Sequence, residues 1–279
     1  MIDKNHNANE MTFWEHLEEL RWHLVRSVIA VIVFAIAAFI AKDFIFNHII
    51  LAPKSDDFIS HRLLCEMGKY LSEKFSFVSS SVLCISNFDL KIININLSGQ
   101  FLVHLYISIF AGIIVAIPYI IWEIWSFVKP ALYEKEQKYA GGAVFWSSLL
   151  FILGVLFSYF LIVPLSILFL GTYSVSEAVE NQIALNSYIS TVVTLSFAVG
   201  LVFELPVFVY FFTKVGILTP GFMRKNRRMM IVIILIISAI ITPPDVFSQI
   251  LIAVPLYGLY EISISISDRI YRKREEELN

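Results

Sequence analysis

Charge is scarce in this chain: of 279 residues only 16% are Asp, Glu, Lys or Arg, against about 25% in an ordinary soluble domain. Hydrophobic residues make up 58% of the sequence and the mean hydropathy is +0.75. The apolar residues fall in long blocks that one water-soluble core could not hide, which excludes a soluble enzyme. A net charge of -2 points neither to nucleic acid nor to an acidic tail. A cleavable secretory signal is also missing. The opening MIDKNHNANEMTFWEHLEEL holds five acids and no apolar segment of its own, so the first span must itself act as the targeting signal. Enzyme signatures are absent: there is no GxxxxGK[ST], no GxSxG and no HExxH, and the six His show no metal-ligand spacing. No catalytic residue, metal or cofactor is expected. Work must be drawn from another subunit or from a membrane gradient.

What is present is a set of spans. A helix needs about 20 apolar residues to cross roughly 30 Å of hydrocarbon, and six candidates satisfy or approach this. They run about 22–41, 101–125, within 139–176 with a kink or end at Pro164, 187–212 with Glu204 inside, 229–242, and 246–266. The fold class expected is an all-α membrane protein of six transmembrane helices, spans five and six being short. The fifth, at 1.5 Å per residue, reaches only about 21 Å, so it must thin the bilayer or stop short of the far surface.

Orientation follows from Lys and Arg. The proposed inside segments hold 14 of them, while the outside loops 171–187 and 243–245 hold none. The first outside loop carries six, but at about 50 residues it is near the length where the charge rule weakens. Both termini are therefore expected in the cytoplasm. The organisation expected is a single integral membrane domain over 1–279, with a cytoplasmic amphipathic segment 1–21, an extracytoplasmic loop or cap 42–98 and a cytoplasmic tail 268–279. The cap contains β-branched and aromatic runs fit for short strands, and it carries the only two cysteines, Cys65 and Cys84. In an oxidising compartment these are candidates for a disulfide; two unrelated small apolar residues is the equal alternative.

Four features concern chemistry. Thr12 and Glu15 form a capping box that starts a helix, on which Glu15, Glu18 and Glu19 sit beside the cytoplasmic surface where basic residues are usual. A cationic partner is implied. After span two, WSFVKPALYEKEQ places Glu134 and Glu136 on the same side of the membrane, with Pro130 suited to a first helical turn. Two separated carboxylates there can accept two guanidinium groups in forked hydrogen bonds. Glu204, about 15 Å deep by helical rise, is expected to face a polar intramembrane groove. Glu123, near the membrane edge beside two Trp, is expected to reach water.

HLEELRWHL (16–24), FVKPALYEKE (127–136), FELP (203–206) and TPPDVFSQ (242–249) resemble, in order and with six spans between them, the motifs of the TatC family, the polytopic subunit of the twin-arginine protein translocase. The resemblance covers about residues 12–272. It implies a glove-like concave bundle in a bacterial cytoplasmic membrane. It implies binding of twin-arginine signal peptides of folded precursor proteins, and export with TatA and often TatB by the proton motive force, in homo- and hetero-oligomers. By the same resemblance Glu19 and Glu136 match the signal-peptide carboxylates, Arg21 and Phe127 match neighbouring motif positions, Glu204 matches the acid of the concave face, and Pro53, Pro130 and Asp245 match structural motif positions. Glu123 stands where the family pattern leads one to expect a neutral polar residue. A proton-coupled small-solute secondary transporter is the alternative reading of Glu204, but such proteins carry paired repeats with broken helices, and no internal repeat is evident.

Overall fold

Inside a bilayer every backbone N–H and C=O must be bonded within the protein, so uncharged runs of this length become helices. The computed structural model describes residues 13–54, 58–60, 62–63, 65–66, 91–129, 140–176, 181–242 and 245–278. Its main elements are α1 (Phe13–Ile40), β1 (Ile92–Ile93), α2 (Gly99–Val128), α3 (Ala140–Phe157), α4 (Val163–Thr172), β2 (Ile183–Ala184), α5 (Leu185–Val202), α6 (Leu205–Val215), α7 (Pro220–Lys225), α8 (Arg227–Ile241) and α9 (Val246–Leu278). Among the described residues five stretches are long and apolar enough to cross a membrane: 17–40, 99–128, 142–172, 185–215 and 246–273. The apolar α8 has 15 residues, a length of about 22 Å.

Contacts along the helices establish their relative directions. His23 of α1 meets Glu123 of α2, Ala35 meets Gly112, and Phe39 stacks on His104 with ring centroids 4.0 Å apart. Rising numbers on α1 pair with falling numbers on α2, so the two run antiparallel. Tyr106 and Phe110 of α2 instead meet Thr194 and Phe197 of α5 in matching order, and those helices run the same way. The two-residue strands leading into them agree: β1 and β2 pair in parallel, Ile92 with Ile183 and Ile93 with Ala184. α8 and α9 form a hairpin, with Arg227 on Glu261 at one end and the Gln249 amide donating to the Leu235 carbonyl near the other.

The core lies between α2, α4, α5 and α9, where Ile107, Ile162, Ile189, Leu195, Val199, Ile252 and Leu256 are buried. α1 stands at the edge, and no residue of its apolar window is buried. What holds it is close approach to α2. A Cβ added at Gly112 would lie 2.6 Å from the Ala35 backbone nitrogen, so only glycine permits this crossing.

Prolines set the breaks. Pro164 lacks the N–H that would bond the Phe160 carbonyl, and a π-helical turn, Ser158–Ile162, precedes α4 there. Span four departs from the single run expected. It is divided at Phe203–Glu204, because Pro206 at the first turn of α6 cannot donate to Val202, the last residue of α5. Span six departs more: α9 continues for 33 residues instead of ending near 266. Its charged last turns contain no proline or glycine to stop them, so 268–278 is unbroken helix.

At the end away from the N-terminus, residues 45–54 form a π turn and a 3-10 turn whose carbonyls need partners. Tyr159 donates to Ile49 O at 2.7 Å and Tyr188 to Ile50 O at 2.9 Å, and Pro53 is buried beneath. Asp245 caps α9, accepting from the Ser248 N–H at 2.6 Å. Cys65 is disulfide-bonded, whereas Cys84, like the FSFVSSSVL run, lies outside the described residues.

Candidate signal-peptide site

Helical spacing puts Glu19 and His23, four apart, on one face of α1, and Tyr119, Glu123 and Phe127 on one stripe of α2. These stripes meet. His23 Nδ1 is hydrogen-bonded to Glu123 Oε2, the Tyr119 hydroxyl donates to Glu123 Oε1 at 2.6 Å, and the His23 and Phe127 rings sit edge to face with centroids 6.0 Å apart. Because the helices are antiparallel, one turn from His23 back to Glu19 corresponds to one turn from Glu123 forward to Phe127. Glu19 and Phe127 thus belong to the same end of the α1–α2 pair.

Glu19 is half-buried, and its Oε2 is buried with no hydrogen-bond partner among the described residues. Arg21, two positions on, takes another direction: it is exposed, and its guanidinium lies 5.9 Å from the centre of the Trp22 ring. Pro130, Glu134 and Glu136 lie outside the described residues, as does Thr12 of the capping box. Glu123 corrects the expectation made for it. It is 1% exposed, since α1 covers it and supplies a partner, so it does not reach water. The reading of the sequence missed His23 and Tyr119. Their signal was the four-residue spacing of each from an acid on its own helix.

Glu204 sits at the break between α5 and α6. It is 7% exposed, the Ser147 hydroxyl of α3 donates to its Oε2, and its Oε1 is buried with no hydrogen-bond partner among the described residues. A groove of about 380 Å³ lies beside this pair, with Gly142, Trp146, Leu150, Pro206, Tyr210 and Ile266 among its walls. Its walls are mostly apolar, and Glu204 is not one of its wall residues.

At the N-terminal end of the bundle, ion pairs tie α7 and α8 to α9. Arg227 meets Glu261 at 2.7 Å, Arg224 meets Asp268 at 3.1 Å, and Tyr257 donates to Glu261. Between α6 and α7, Gly216 takes φ 89°, the left-handed conformation that closes α6. Thr219 then caps α7 through the Phe222 N–H. The four basic side chains of 224–228 are thereby delivered to this end of the molecule, and two are neutralised in place.

The model of the family described as Sec-independent protein translocase protein (TatC) matches residues 15–255. The chain belongs to the TatC family. It is 39% identical over 269 residues to the TatC of Blattabacterium sp. subsp. Periplaneta americana (strain BPLAN), covering 95% of this chain and 98% of the relative. It is 34% identical to TatCy of Bacillus subtilis (strain 168), covering 96% of this chain and 93% of that one. Two crystal structures of a twin-arginine translocase receptor TatC superpose with TM-scores of 0.67 and 0.70 at 31% and 32% identity, covering 92% and 91% of this chain and 99% of each of theirs. TatC membership makes this a multi-pass membrane protein and a subunit of a Sec-independent translocase, a family of translocase components and not of enzymes. It also replaces the small-solute transporter reading of Glu204.

Proposed function

We propose that this TatC chain is the signal-peptide receptor and core subunit of a twin-arginine translocase. Glu19 and Glu136 bind the paired arginines of the signal peptide, and Arg21 and Phe127 shape the site. TatA and, where the organism has one, TatB join it to carry folded precursors across a bacterial cytoplasmic membrane with the proton motive force. In that membrane the chain makes six spans with both termini cytoplasmic, α8 being the short fifth. Residues 42–98 form the extracytoplasmic cap, while 1–21 and 268–279 are the cytoplasmic segments of a single membrane domain.

The observation that supports this most is the buried Oε2 of Glu19, without a hydrogen-bond partner among the described residues, on the face of α1 that meets α2. A buried carboxylate oxygen without a donor costs roughly 1–3 kcal/mol, and a guanidinium offers it charge-assisted N–H groups in a planar fork. Lysine offers no such fork. The test is crosslinking of a signal peptide carrying Arg-Arg, against the same peptide carrying Lys-Lys, to the membrane-inserted protein. Glu19→Ala and Glu136→Ala are each expected to lower the Arg-Arg yield, by about 10- to 100-fold if each lost pair contributed about 1.5–3 kcal/mol, and salt is expected to weaken binding. Unchanged yield and unchanged Arg-over-Lys preference in both variants would refute the assignment.

A further inference from the structure

Glu123 is buried within a span apolar enough to cross a membrane, where lipid gives no reason to keep a carboxylate. Its surroundings come from two helices. From α2, Tyr119 donates to Oε1; from α1, His23 bonds Oε2, and Arg26 lies close enough to act on the carboxylate through its charge. Both oxygens of Glu123 are therefore occupied, whereas Glu19, one turn from His23 on the same face of α1, has a buried oxygen with no hydrogen-bond partner among the described residues. His23 is itself limited on a second side by the Phe127 ring, and the Ser27 hydroxyl donates to its carbonyl at 2.9 Å. No residue in the apolar window of α1 is buried, so little else at this end fixes its rotation. A small rotation of α1 would swing the Glu19 carboxylate away from the side that faces α2.

We propose that His23 and Glu123 are positioning residues of the signal-peptide site: their part-buried hydrogen bond locks the rotation of α1 on α2 and so sets the direction in which Glu19 presents its carboxylate to the peptide's arginine. This rests on the proposed receptor function and names a part of that site. Glu123 does not contact the peptide. It acts through His23 and the helix that carries Glu19.

The experiment uses the full-length protein in membrane vesicles and photocrosslinkable signal peptides with Arg-Arg or Lys-Lys. His23→Ala and Glu123→Ala are expected to insert normally, to lower the Arg-Arg yield roughly three- to tenfold, as loss of one hydrogen bond would, and to shrink the Arg-over-Lys ratio. The reciprocal double exchange His23→Glu with Glu123→His restores a pair across the same crossing and is expected to recover both yield and ratio. It also provides the answer should a single variant insert poorly. Equal loss for both peptides with the ratio intact, or no recovery in the double exchange, would overturn the positioning role and leave only packing. Wild-type binding by both single variants beside a defective Glu19→Ala would overturn it alone. Wild-type binding by Glu19→Ala would remove the site itself and the positioning role with it.

Discussion

Replacing Gly112 by Ala tests a crossing where α2 meets the backbone of α1. The added Cβ would lie 2.6 Å from Ala35 N, 2.8 Å from Ala35 Cα and 2.9 Å from Ala35 Cβ, and two of those three atoms are backbone that no rotamer change can move. Restoring ordinary van der Waals separation requires α1 to retreat by roughly 0.5–1 Å. Overpacking of this kind costs typically about 1–3 kcal/mol. A Gly→Ala change in a helix also gains about 1 kcal/mol in propensity, so the comparison must cancel that gain. Gly258→Ala in α9 does so, because its Cβ would meet nothing within 4 Å. Thermal unfolding of the two purified variants in the same detergent is expected to show Gly112→Ala less stable than Gly258→Ala by about 1–3 kcal/mol, with a lower midpoint. Equal midpoints would refute the close α1–α2 crossing, and with it the rotation argument for Glu19.

Glu204→Gln is expected to stay folded, because the amide can still bond Ser147, and to impair transport at a step after signal binding. Normal transport by Glu204→Leu would reject a functional role, and misfolding of Glu204→Gln would favour a structural one. For topology, single cysteines near 180 should label only from outside and those near 225 only from inside, in a background lacking Cys65 and Cys84; the reverse pattern refutes the orientation. Finally, Cys65 and Cys84 are expected to resist alkylation until reduced, and the bridge should stabilise the cap by about 3 kcal/mol in the chain-entropy model. Ready alkylation of both without reductant would refute the pairing.

The apolar runs alone were enough to read where helices lie, because a bilayer leaves uncharged backbone no other structure, but not the continuation of α9 past 266. Motif order alone was enough to suggest the family. The breaks were partly legible: Pro164 reads as a kink, whereas Pro206, equally visible, lies in a run apolar enough on both sides to read as one helix. Which faces meet was not legible. In water a helix shows its buried side by polarity, but in lipid both the buried and the exposed sides are apolar, so α1 and α2 carry little pattern to say that residue 35 faces residue 112. The fate of the acids was therefore decided only by tertiary packing. Glu123 was expected at the water's edge and is instead enclosed by His23 and Tyr119, while Glu204 bonds Ser147 beside the groove. The buried Oε2 of Glu19 has no hydrogen-bond partner among the described residues. A hydrogen bond between helices a hundred residues apart depends on their rotation and crossing, and these are set by glycine-sized gaps and neighbouring side chains that no local spacing encodes.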